Sequence, residues 1–129
     1  MKIYVIGNVL VEKDSLPVKL IPILKKDFLG IDFIEFDPSE DFRPENKTLT
    51  IIDTILDIEN TILFHDIDKI DVKGICSLHD FDLGYNLKLM KKFGMIDTVN
   101  IIGVPPDLDK KEAVKQIKEI ITSLFSGNV

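Results

Sequence analysis

Apolar, β-branched runs alternating with amphipathic segments along the whole chain predict an α/β domain: a three-layer sandwich with a mostly parallel, mixed central sheet flanked by helices. Two further observations support that class. The chain has 129 residues, enough for one hydrophobic core without disulfide or metal staples. Its apolar residues, 45% of the total, are spread evenly with no linker, repeat or low-complexity segment, so a single domain spanning 1–129 is expected.

The opening "KIYVIGNVLV" reads as a buried strand closed by Gly7-Asn8. "DSLPVKLIPILKKDF" reads as a helix with Asp14 or Ser15 as N-cap and Pro17 in its first turn. Pro22 inside that segment removes a hydrogen bond and predicts a bent or late-starting helix. "IDFIEF" is a second strand, followed by the polar, proline-punctuated loop "DPSEDFRPENK" with room for one helical turn. "LTIIDTI" is apolar enough to be a central strand. "TILFHDI" and "KGICSL" read as two short strands, forming a hairpin or one sheet edge.

"DFDLGYNLKLMKKFG" predicts a helix with Leu83, Leu87, Met90 and Phe93 on its core stripe, stopped by Gly94. "TVNIIGV" is the last strand, ended by Pro105-Pro106. "DLDKKEAVKQIKEIITSLFSG" is the clearest helix, with acids in its first turn, Val114, Ile117, Ile121 and Leu124 on one face, and Gly127 beyond its end.

Composition excludes several functions. The net charge is −6, with lysines scattered among acids and no basic stripe, which argues against nucleic acid as a partner. No apolar run is long enough to cross a bilayer, and the opening strand lacks the features of a signal peptide. The single cysteine, Cys76, excludes an internal disulfide, reads as buried filler and fits a reducing compartment, so a cytoplasmic location is expected. There is no Walker loop, no GxGxxG and no glycine-flanked serine elbow.

In open α/β sheets, function gathers where the carboxyl ends of the strands empty into loops. That rule selects Asp14, after the first strand, Asp53, closing "IIDT", and His79, in "SLHD". Two carboxylates and an imidazole suit a borderline divalent ion such as nickel, zinc or cadmium. Each residue also has a plainer reading. Asp14 can cap a helix, Asp53 can pair with a lysine or a backbone amide, and His79 can cap its helix or donate to a carbonyl. His65, in "LFHD", reads as a surface or edge residue.

The order of these pieces resembles the maturation endopeptidases of nickel–iron hydrogenases. The resemblance rests on Gly7-Asn8-Val9-Leu10 through Asp14, "IIDT" with Asp53, "HDFDL" from His79 to Leu83, and "IGVPP" from Ile102 to Pro106. It covers essentially the whole chain. It implies that Asp14, Asp53 and His79 bind nickel carried by the substrate, which is the precursor of the hydrogenase large subunit. It also implies that the activity is removal of that precursor's C-terminal extension. The sequence departs from the family pattern in two loops. Lys13-Asp14-Ser15-Leu16-Pro17 stands where Asp-Asp-Gly-x-Gly is usual, and Asp37-Pro38-Ser39 replaces a Gly-Gly-Thr turn.

Two other classes are compatible with the same sequence. One is a protease-like binding or assembly factor without catalysis, for which the altered loops speak. The other is a phosphoacceptor receiver domain with Asp53 as acceptor. The receiver reading lacks its acidic pair, since Gly7-Asn8 follows the first strand, and it lacks a lysine at the end of the last strand.

Overall fold

The computed structural model describes residues 1–37, 44–65, 76–77 and 87–126, and the backbone alone of 76–77. The strands are β1 (Lys2–Val5), β2 (Asp32–Glu35), β3 (Thr48–Leu56), β4 (Ile62–Phe64), β5 (Cys76–Ser77) and β6 (Thr98–Val104). The helices are α1 (Leu16–Asp27), α2 (residues 87–92) and α3 (Lys110–Ser126). A 3-10 turn, Glu12–Asp14, precedes α1.

The sheet order is β2-β1-β3-β6-β4. All neighbours along it are parallel except β4, which runs antiparallel to β6. β5 pairs antiparallel with the end of β3. The two short strands therefore do not form a hairpin. β4 is an edge strand, as expected, while β5 pairs with β3 just beyond the residues that β3 shares with β6. Composition gave no means of assigning these partners, because two- and three-residue strands carry no register signal of their own.

The centre of the sheet is the long pairing of β3 with β6, from Thr48 opposite Thr98 to Thr54 opposite Val104. Seven consecutive positions of β3, Leu49 to Ile55, are buried. A strand covered on both faces is expected to be mostly apolar, which explains its richness in Ile, Leu and Thr and makes Asp53 the exception.

Side-chain alternation sends Tyr4, Ile6, Leu49, Ile51, Ile55, Val99 and Ile101 to one face, where Leu87 and Met90 of α2 cover them. Ile3, Val5, Ile52, Ile102 and Val104 face the other way, against Leu20 and Leu24 of α1 and Ala113, Ile117 and Ile121 of α3. The three-layer arrangement follows. Each fully buried Ile or Leu contributes about 1.5–3 kcal/mol, so these two cores, rather than surface ion pairs, hold the layers together.

Two helices depart from expectation. α1 starts on time at Leu16, with Ser15 at its N-cap, and runs through Pro22. Pro22 is exposed, so the carbonyl deprived of its amide can turn to water, and the buried Leu16, Leu20 and Leu24 hold the helix in place. In α2, Leu87 and Met90 are buried as expected, but Phe93 is 71% exposed. The helical turn has ended by then: Gly94 adopts φ +73°, the left-handed stop that glycine takes readily. Leu83 and Gly127 lie outside the described residues.

α3 begins where Asp109 accepts a hydrogen bond from the Lys111 amide at 3.1 Å through Oδ2. Ala113, Ile117 and Ile121 form its most buried line, with Val114 and Leu124 packed partly against it.

Gly103 lies opposite Asp53 in the central pairing. A Cβ there would lie 2.4 Å from Cγ1 of Ile55, inside any tolerable contact. Gly103→Ala is expected to lower stability by about 1–3 kcal/mol, read as a drop in the urea midpoint with an unchanged slope. An unchanged midpoint would show that β3 and β6 are not packed this tightly.

Candidate functional site at the carboxyl ends of β1 and β3

The end of β1 is fixed to β3 by a hydrogen bond from the Ile6 amide to the Ile52 carbonyl, 2.9 Å. The chain then turns sharply at Gly7. A Cβ on Gly7 would stand 2.7 Å from the carbonyl oxygen of Asp14 and 2.8 Å from Cγ2 of Val18, so only glycine lets the loop fold back this closely. The next residue closes that approach: the Asn8 amide donates to the Asp14 carbonyl at 2.9 Å. Within the loop, the Val11 amide donates to the Asn8 carbonyl at 3.1 Å, and the Asp14 amide to the Val11 carbonyl at 2.9 Å.

Asp14 therefore does not serve as the cap of α1. Ser15 occupies the cap position, but its hydroxyl donates to the Glu12 carbonyl at 2.9 Å and accepts no amide of the helix. Asp14 ends the 3-10 turn and is only 4% exposed. A buried carboxylate off the helix cap is unusual enough to keep Asp14 a candidate for chemistry.

Asp53 is completely buried near the carboxyl end of β3. It shares a strand face with Ile51 and Ile55, the face covered by α2. The Thr54 amide donates to its Oδ1 at 2.8 Å, which fixes the carboxylate against its own strand. On the β6 side Asp53 faces the missing side chain of Gly103, so the opposing register position adds no bulk beside it. β5 adds a constraint at the same end: Ser77, two residues before His79 in the sequence, pairs with Ile55, two residues after Asp53.

The fold thus brings Asp14 and Asp53 to the same end of the sheet, Asp14 on the 3-10 turn that follows β1 and Asp53 on the neighbouring β3. His79 lies outside the described residues. Among the described residues no group of three or more His, Cys, Asp or Glu side chains is placed to hold a metal ion.

A cleft of about 670 Å³ opens at this end, between the loop after β1 and the end of β2. Asn8, Val9, Leu10, Val11 and Asp14 line one side, and Glu35, Phe36 and Asp37 the other. Sequence reading did not single out Glu35 to Asp37. The same strand-end rule that selected Asp53 applies to "EFD" after β2 and could have found them. A smaller cleft of about 420 Å³ lies between Lys13, the Asp57–Glu59 turn and Pro105–Leu108. Pro105 and Pro106 stop β6 and form part of its wall, as their strand-ending role predicts.

His65 has a structural role. It follows the edge strand β4, and its Nδ1 lies 3.0 Å from Oδ1 of Asn100, whose Nδ2 in turn donates to Oγ1 of Thr50 at 3.5 Å. This polar ladder runs across β4, β6 and β3 and satisfies the buried Asn100. The Cys76 side chain lies outside what is described.

No protein-family model matches the sequence, and no curated protein matches it. The solved structures do provide matches over nearly the full length. The nickel–iron hydrogenase maturation protease HybD from Thermococcus kodakarensis superposes with a TM-score of 0.70 at 21% identity, covering 96% of this chain and 99% of that one. The hydrogenase maturating endopeptidase HybD from Escherichia coli gives 0.69 at 17% identity, covering 99% and 94%. A solution structure of an endopeptidase from Escherichia coli gives 0.68 at 17% identity, covering 100% and 95%.

Thr54 supplies a test of the local account. Its hydroxyl is fully buried and has no hydrogen-bond partner among the described residues, while its amide is engaged by Asp53. Thr54→Val keeps the shape and removes the orphaned oxygen, so the unfolding free energy should rise by roughly 1 kcal/mol, read as a higher urea midpoint. A fall of that size would mean that the hydroxyl is engaged. With identities this low, what these matches establish is architecture: the chain has the fold of the hydrogenase maturation endopeptidases.

Proposed function

We propose that this protein is an endopeptidase that removes the C-terminal extension of a nickel–iron hydrogenase large-subunit precursor after nickel has been loaded, and that it acts in the cytoplasm. The observation that carries the reading is Asp53. A fully buried carboxylate, held at one oxygen by its neighbour's amide, lies near the carboxyl end of the central strand in a fold shared over nearly the whole chain with hydrogenase maturation endopeptidases. A cation met on substrate binding would be attracted strongly to a carboxylate shielded from water in this way.

In this reading nickel arrives as the substrate's cargo. Asp14 and Asp53 supply hard carboxylate oxygens and His79 a neutral imidazole, a donor set suited to nickel whose remaining positions are filled by substrate sulfur. The Thr54 amide donates to Oδ1 of Asp53 and fixes the direction in which the carboxylate is presented. Contact of the metal with these side chains identifies a loaded precursor and positions the extension for hydrolysis, where orientation supplies much of the rate. No residue is assigned as the base that activates water.

The altered first loop fits the same role. Pro17 sits in the first turn of α1, and Ser15 braces the 3-10 turn through the Glu12 carbonyl, so Asp14 is held without the two glycines usual in that loop, Gly7 being the one glycine its position needs.

Incubation with nickel-loaded precursor should release the extension at a single bond. Asp53→Asn and His79→Ala should each lower kcat/KM by at least about a hundred-fold, while circular dichroism reports an intact fold. Stable binding of the precursor without any cleavage by the wild-type protein would favour an assembly factor instead. Magnesium-dependent phosphorylation of Asp53 by a small phosphodonor, unaffected by His79→Ala, would favour a receiver domain.

A further inference from the structure

The geometry points to the cleft between the loop after β1 and the end of β2 as the docking site for an extended stretch of the precursor that carries an apolar side chain beside lysine or arginine. This inference rests on the endopeptidase reading and adds to it the chemistry of the segment that is gripped.

Three features of the cleft carry it. The first is an apolar lip: Leu10 is 90% exposed, and Val9 and Val11 are 53% and 47% exposed. Loop hydrogen bonds hold these side chains out, because Asn8 accepts the Leu10 amide at its Oδ1, 2.9 Å, and the Val11 amide at its carbonyl. An exposed leucine forgoes about 1.5–3 kcal/mol of burial, which a docked apolar side chain would recover.

The second feature is an apolar back wall. Phe36 lines the cleft and is braced edge-on by Tyr4, with ring centroids 5.6 Å apart and planes at 80°. The third is the charge of the opposite rim. Glu35 and Asp37, both exposed, stand at the end of β2, and the chain as a whole carries a net charge of −6. An acidic segment would be repelled at this rim, and a basic one drawn in. Asp14 is among the lining residues, so a segment lying in the cleft passes beside one of the candidate metal ligands.

The test uses the full chain and two fluorescently labelled hexapeptides, one with leucine flanked by lysines and one with leucine flanked by glutamates. Fluorescence anisotropy should report binding of the lysine peptide only, weakened by added salt. Leu10→Ser, and the double variant Glu35→Gln/Asp37→Asn, should each weaken that binding about five-fold or more. All three positions are exposed, so the variants should fold, which circular dichroism checks. With nickel-loaded precursor the same variants should raise KM and leave kcat nearly unchanged.

Equal binding of the two peptides, no binding of either, or wild-type KM in both variants overturns the docking site. If wild type cuts the precursor while the variants keep its KM, the docking site fails and the endopeptidase reading stands. If wild type binds the lysine peptide through Leu10 and Glu35 but never cuts the precursor, the docking site stands and the endopeptidase reading fails.

Discussion

Parallel pairing of β3 with β6 over seven residues is the constraint on which the rest depends. It makes β3 a strand with no solvent face, and therefore a strand on which any polar residue is conspicuous. Asp53 is placed by that register opposite Gly103, and Gly103 in turn is required by Ile55, whose side chain fills the space that a Cβ would need. Moving the register by one residue would carry Asp53 to the other face of the sheet, the one packed by α1 and α3. The position of the candidate site is thus a consequence of how the core closes.

A second backbone device sets the neighbouring strand. Gly7 allows the loop after β1 to fold back until the Asn8 amide meets the Asp14 carbonyl. This bond couples the end of a central strand to the 3-10 turn that presents Asp14, and it does so without helix capping. Asp14 and Asp53 are positioned by separate parts of the scaffold, one by a loop and one by a strand. Substitution at either is therefore expected to act locally rather than by unfolding the other.

Much of this was legible in the sequence because the relevant signals are local. β-branched runs marked β1, β2, β3 and β6, and the 3.6-residue stripe marked α3. The strand-end rule then selected Asp14 and Asp53. What could not be read was decided by tertiary partners. The β4 and β5 segments looked alike in sequence, yet β4 pairs with β6 and β5 with β3. Phe93 continued a helical spacing that Gly94 cut short. Pro22 looked disruptive until its exposed position and the buried leucines on the other side of α1 were known. Glu35, Phe36 and Asp37 became part of a cleft only once β2 lay beside β1.

The central claim is that two carboxylates from different elements and one imidazole meet a single nickel ion. Titrating Ni²⁺ into the purified protein, followed by calorimetry and repeated on Asp14→Ala, Asp53→Ala and His79→Ala, tests it most directly. The account predicts binding close to one equivalent in the wild type, weakened at least about ten-fold by each of the three substitutions. Nickel binding of wild-type strength in the folded Asp53→Ala or His79→Ala protein would contradict it.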